Sequence, residues 1–119
     1  MATFTLPEPV KAYIAASNNF DIGALMATLA ENALVNDHRV EFDGPDAIRS
    51  WAQREIFGDR VTMQVTSATH RGHSTAVTAI IDGNFDKTNL PTPLVLTFYF
   101  SVSDARIDQL IIIHNKPAS

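Results

Sequence analysis

The sequence predicts an α+β domain with helices on one face of a strongly curved antiparallel sheet. Three observations point there. Apolar residues recur at helical spacing through the first half of the chain and alternate with polar ones after Asp59. The elements follow in the order helix, helix, strand, helix and then four strands, which segregates helices from most of the sheet. The composition, 45% hydrophobic and 18% charged over 119 residues, supplies one core without staples. No internal repeat or low-complexity segment divides it, so residues 1–119 read as a single domain.

The first helix is expected to open at Thr5-Leu6-Pro7-Glu8, a capping hydroxyl, an early proline and a glutamate three residues on. Val10, Tyr13, Ile14 and Ser17 share one face, and Ser17-Asn18-Asn19 ends it. Asp21 can cap a second helix, whose Ile22, Leu25, Met26 and Leu29 repeat at i, i+3, i+4 and i+7. Residues 33–42, ALVNDHRVEF, read as one strand with four polar residues at its centre. The third helix opens at Asp43-Gly44-Pro45-Asp46, carries Ile48, Trp51, Ala52 and Ile56 as its apolar stripe, and stops at Gly58-Asp59.

Val61, Met63 and Val65 then alternate with Thr62, Gln64 and Thr66 toward a hairpin turn at Arg71-Gly72-His73. The next strand spans residues 74–86 with a bulge or bend at Asp82-Gly83, and 87–93, holding Pro91 and Pro93, is a loop. Residues 94–102 and 106–114 form a final pair around Ser103-Asp104-Ala105. Leu110-Ile111-Ile112-Ile113 is apolar at both parities, whereas a strand with one wet face should alternate. Helices can cover one face. A second subunit, making a homodimer, is expected on the other, unless the run bends into a deeper part of the monomer's own core.

The formal net charge is −4, and nine basic residues are scattered without a run, which argues against nucleic acid and membrane surfaces as partners. Zero cysteines exclude disulfides, thiol nucleophiles and thiolate metal sites, and fit a reducing cytoplasm. The opening MATFTLPEPVK lacks a basic segment followed by an apolar one, and no apolar run approaches the roughly 20 residues of a membrane helix, so a cytoplasmic location is expected. The four histidines lack the i, i+4 spacing of a helical zinc site, the five glycines stand singly, and no nucleophile elbow is present. No metal or cofactor is expected.

Two segments carry a resemblance. YIAASNNFDIGALMATLAENALVNDHRV, residues 13–40, runs from the first helix into the first strand, and GPDAIRSWA, residues 44–52, forms the third helix. With the order of elements, they resemble the nuclear transport factor 2-like superfamily, which includes ketosteroid isomerases, SnoaL-like polyketide cyclases and limonene epoxide hydrolases. The first segment resembles the isomerases without a gap, and the second resembles the SnoaL-like members. The resemblance spans nearly the whole chain. It implies a cone-shaped curved sheet, a cystatin-like α+β roll, with three N-terminal helices packed on its concave face around a cavity for a small apolar molecule.

By that resemblance Tyr13 falls where the isomerases keep an oxyanion-hole tyrosine, and Asp37 where they keep the aspartate that moves a proton. Their third residue, an aspartic acid that donates a hydrogen bond, should precede the segment FYF, where Leu96-Thr97 stand here. The oxyanion hole is therefore incomplete, and steroid isomerase activity is not expected.

An apolar cavity disfavours a carboxylate, so Asp37 could take a proton beside a carbonyl or hold a water; the bland alternative is a solvated strand-end aspartate. On the last strand Leu110, Ile112 and His114 share a face, which the resemblance makes a cavity wall; His114 either pairs with Asp37 as acid and base or emerges into solvent. Tyr13 either donates to a ligand carbonyl or is core. Trp51, Phe98 and Phe100 would supply apolar walls. Alternation places His38 opposite Asp37 and returns Arg39 to its side, where Arg39 could meet an acidic ligand or pair with Asp37. His70 and His73 flank a turn and read as solvated. The resulting expectation is a cofactor-independent isomerase, cyclase or hydratase for a small apolar carbonyl compound, with Asp37 as proton acceptor. The alternatives are a non-catalytic binding module or a dimeric interaction module of the same fold.

Overall fold

The computed structural model describes residues 5–114. Two helices, α1 (Glu8–Asn18) and α2 (Ile22–Ala27), precede the strands β1 (Leu29–Asp37) and β2 (Val40–Asp43). The third helix, α3 (Pro45–Ala52), continues as a π-helical turn (Gln53–Phe57). Four strands follow: β3 (Thr62–Arg71), β4 (Ser74–Asp82), β5 (Leu94–Ser103) and β6 (Arg106–His114). All six strands join one curved, unclosed sheet in the order β2-β1-β6-β5-β4-β3. Among the described residues no helix is long and apolar enough to cross a membrane.

The expected antiparallel sheet is corrected at one seam: β1 runs parallel to β6, while every other neighbouring pair is antiparallel. Parallel neighbours need a long connection, and everything from β2 to β5 separates these two strands. The seam fixes the site, because it places Asp37 beside Ile112, and Ile112 is in register with Phe98 on β5.

Helical faces form where the spacing places them. Val10, Tyr13 and Ser17 are buried on α1, and Ile14 packs against the core from a half-buried position. Proline 7 is the N-cap and no side chain caps the helix, so Thr5 does not do the capping expected of it. Asp21 does cap α2, its Oδ1 accepting from the Ala24 N–H at 3.0 Å. Leu29 opens β1 instead of completing the α2 stripe. Gly44 enters α3 at φ 88°, a conformation that disfavours any residue with a Cβ.

The expected strand over 33–42 is two strands. It begins at Leu29 and folds back at His38-Arg39, both with positive φ (52° and 74°), so that Asp37 pairs with Val40. The Asn36 Oδ1 accepts from the Arg39 N–H at 2.9 Å and helps hold the turn. The polar centre of that stretch is a tight hairpin, which also ends the alternation on which the facing of Arg39 relied. Likewise β4 stops at Asp82 instead of reaching residue 86, and a bend follows.

The apolar run on β6 divides by face. Leu110 and Ile112 are buried under the helices, whereas Ile113 is 42% exposed on the convex side, near Tyr99 at 43%. The tail 115–119, into which His114 was expected to lead, lies outside the described residues.

Candidate functional site

Cross-strand partners share a face of a sheet, so Asp37, Ile112 and Phe98 make one row on the concave side. Tyr13 from α1, Trp51 from α3, Ile56 from the π-helical turn and Met63 from β3 close over that row. They enclose a cavity of about 80 Å³. A single water needs about 10–15 Å³, so the space admits a small organic group. A wider funnel of about 340 Å³ adjoins it, with His38, Asp59 and His114 among its lining. Asp37, Glu55, Val61, Ile81 and Leu96 border both spaces and form the neck between them.

Asp37 is at this neck, its side chain 21% exposed. Its Oδ1 lies 2.6 Å from His38 Nδ1, and its Oδ2 accepts from Trp51 Nε1 at 3.0 Å. The indole N–H only donates. Beside a carboxylate the imidazole Nδ1 is placed as a donor too. Both oxygens therefore meet a donor, and the bare apolar surroundings expected for Asp37 are not what its carboxylate meets. Two donors hold it in a fixed orientation.

Tyr13 is 1% exposed and its ring packs edge-on against Phe100, with centroids 5.3 Å apart. Burial first, then the charge of Asp37, pushes its phenol well above the ordinary value of 10. The hydroxyl is accordingly a donor at any working pH. It borders the cavity and makes no hydrogen bond to another described residue. Buried phenols usually find a partner, and here no described residue supplies one.

Trp51, Phe98 and Ile112 do form walls, at 2%, 6% and 4% exposure. Leu96 also lines the cavity, while its neighbour Thr97 pairs with Ile113 and Thr78 on the opposite face. No acid stands where the resemblance places one.

Several expectations change. Arg39 is exposed in the β1–β2 turn and lines neither space, and among the described residues it forms no ion pair with Asp37. The tight turn ends the alternation that would have returned it to the cavity side. Leu110 is fully buried one row deeper, in register with Val35 and Phe100, and belongs to the core instead of the cavity wall. Phe100 shares that fate. His114 reaches the funnel but not the inner cavity; its ring lies 4.4 Å from that of His38, and His38 is the histidine that pairs with Asp37. His70 is exposed, as expected beside a turn, and bonds through Nδ1 to the Oγ1 of buried Thr75 at 2.9 Å.

Two residues escaped the sequence reading. His38 was assigned to the far face by strand alternation, which a two-residue turn invalidates. Glu55 falls outside the α3 apolar stripe, yet the π-helical turn widens the helix so that consecutive Glu55 and Ile56 both border the cavity. The only available signal was local: a turn-sized run of polar residues between two apolar pairs, and a glutamate beside an apolar position. Among the described residues no group of three or more His, Cys, Asp or Glu is placed to hold a metal.

Comparison with known proteins agrees with this fold. A candidate polyketide cyclase from Sinorhizobium meliloti superposes with a TM-score of 0.82 at 30% identity, over 91% of this chain and 95% of that one. A protein with a ketosteroid isomerase-like fold from Catenulispora acidiphila, solved with trimethylamine, gives 0.77 at 22% identity, over 92% and 87%. A cystatin-fold protein from Novosphingobium aromaticivorans gives 0.77 at 17%, over 94% and 100%. The last two speak to fold alone. A search of curated proteins finds no match. The family model of the SnoaL-like domain matches residues 10–110. With nearly the whole chain aligned to that model and its α+β cavity in place, the protein belongs to the SnoaL-like domain family.

Proposed function

We propose that the chain is a cofactor-independent acid–base enzyme acting on a small, largely apolar carbonyl compound, by isomerisation, aldol-type cyclisation or hydration. The observation that carries this reading is the placement of the Asp37 carboxylate and the unpartnered Tyr13 hydroxyl on one apolar cavity. A proton leaving the carbon next to the carbonyl would pass to Asp37. The electron pair would move to the carbonyl oxygen, where Tyr13 donates a hydrogen bond. Trp51 and His38 hold the carboxylate toward the neck. The likeness to the Sinorhizobium protein favours cyclisation among the three.

A neutral carbon acid tests the base without knowledge of the substrate. In 5-nitrobenzisoxazole, removal of the ring C–H proton forms a nitrile as the N–O bond breaks, releasing a coloured phenolate. Asp37→Asn keeps the shape and removes the basicity, and should lower this turnover by about a hundred to ten thousandfold. A protein that binds the probe but turns it over no faster than the Asn variant is instead a binding module of the same fold, the reading favoured by the two donors already on Asp37.

A second copy is proposed to cover the convex face. Tyr99 and Ile111 are cross-strand partners there, and Tyr99 and Ile113 are exposed at 43% and 42%. A two-fold pair lets such a patch meet itself. Sedimentation should show a dimer at micromolar concentration that Tyr99→Lys dissociates; a monomer throughout would remove this part of the proposal.

A further inference from the structure

The charges around the neck are one-sided. Asp37, Glu55 and Asp59 line the neck and funnel, and among the described residues no lysine or arginine lines either space. The basic residues nearest in sequence are turned to aromatic rings. Arg54 lies over the Phe42 ring at 5.7 Å, and Arg60 over the Phe20 ring at 3.8 Å. Asp37 has His38, but among the described residues neither Glu55 nor Asp59 forms an ion pair. Charges of one sign in a concave mouth concentrate counter-ions there.

Carboxylates alone would signify only a solvated rim. The inner cavity adds an independent pointer to a ligand, because Tyr13 lines it with a side chain that is 1% exposed, and its hydroxyl has no partner among the described residues. The space beside it is apolar, walled by Trp51, Phe98 and Ile112. One occupant satisfies both ends: an apolar body with a hydrogen-bond acceptor toward Tyr13 and a positive charge toward the funnel.

We infer that the ligand of this site is an organic cation, an amine protonated at neutral pH, whose ammonium group sits between Glu55 and Asp59 while its apolar part fills the inner cavity. The inference rests on the proposed carbonyl chemistry only in sharing its cavity, and narrows that substrate to an amino carbonyl compound. Asp37 remains the proton acceptor, since its oxygens are oriented by His38 and Trp51. Glu55 and Asp59 select by charge. Acids are disfavoured by the same carboxylates, and Arg39, turned to solvent, offers them no counter-charge.

Three probes share one ring and differ in charge: benzylamine, benzyl alcohol and benzoate. Calorimetric titration at pH 8, where benzylamine carries its proton, compares the three. Benzylamine should bind about tenfold more tightly than benzyl alcohol, with benzoate weakest. The preference should shrink toward parity near 1 M salt, where the screening length falls to about 3 Å. The double variant Glu55→Gln, Asp59→Asn should bring benzylamine level with the alcohol and leave the alcohol's affinity unchanged. A thermal melt of that variant confirms that it is folded. Equal binding of amine and alcohol to the parent protein, or a preference that survives in the double variant, overturns the inference and leaves the carbonyl reading standing. No binding by any of the three overturns both.

Discussion

The two ends of the site are built from different material. At the inner end Tyr13, Trp51, Phe98 and Ile112 are at most 6% exposed, and the polar atoms they offer are one hydroxyl and one indole N–H. At the outer end Glu55, His38 and His114 are exposed and the groups are ionisable. Electrostatic interactions strengthen where water is excluded and are screened where it is not. Proton transfer and its stabilisation belong at the inner end, and selection among arriving ligands belongs at the mouth. Asp37, at the neck, is common to both.

After the loss expected for Asp37→Asn, the largest effect is expected at the inner end. Tyr13→Phe retains the ring that packs on Phe100 and removes only the hydroxyl. Loss of a single donor of this type costs roughly a hundred to a thousandfold in turnover, and the carbon-acid probe reads it directly. A change below threefold, with the fold intact by near-ultraviolet dichroism, would show that the hydroxyl faces the cavity without acting there.

Next in size is Trp51→Phe. Its indole N–H is the donor to Asp37 Oδ2, and the side chain is 2% exposed. Removing it leaves a carboxylate oxygen without its donor, which costs about 1–3 kcal/mol, and the smaller ring adds a packing loss. Urea denaturation should register the drop. A variant as stable as the parent would mean that a water replaces the indole, and that the inner end is wetter than its walls suggest.

Tyr13 also predicts an alkaline limit to stability. Its phenol is raised in the folded state, chiefly by burial. A raised group contributes fully while the pH is below its unfolded value and loses that contribution as the pH climbs beyond it. The window therefore opens near pH 10, and stability should decline by up to about 1.4 kcal/mol per pH unit above it. Tyr13→Phe should flatten that decline, and denaturation midpoints between pH 9 and 11 compare the two proteins. Identical slopes would place the phenol in contact with solvent.

What the sequence could reveal followed from how local each cause was. The stripes of α1 and α3 were legible because buried positions recur within a few residues, and the Asp21 cap because its donor, Ala24, is three residues away. The parallel seam between β1 and β6 was not, since strand partners separated by most of the chain leave no mark in local pattern. The π-helical turn widens a helix without any composition of its own. At the site, Tyr13 and Asp37 were found through a resemblance and Trp51 through its stripe, but its role as donor to Asp37 depends on a contact 14 residues apart. The His38-Arg39 turn was hidden for a physical reason: two-residue hairpins favour Asn-Gly, and here two large side chains occupy the positive-φ positions.

That turn yields the smallest expected effect and the sharpest contrast between neighbours. Arg39 at φ 74° bears the crowding of a side chain in the left-handed region and lines neither the cavity nor the funnel. Glycine relieves about 1–2 kcal/mol of that strain and gives back about 0.5–1 through the greater freedom of the unfolded chain. Arg39→Gly should therefore gain about 0.5–1 kcal/mol in stability, with probe turnover unchanged. His38→Asn suits its own positive φ equally well, because asparagine tolerates that region. It nevertheless removes the imidazole that holds Asp37 Oδ1, so turnover should fall even as the strain is eased. Urea midpoints and probe kinetics measured on both variants separate the two outcomes. Equal turnover in both would reduce the Asp37–His38 bond to a feature of the hairpin, and a loss in Arg39→Gly would return that arginine to the site.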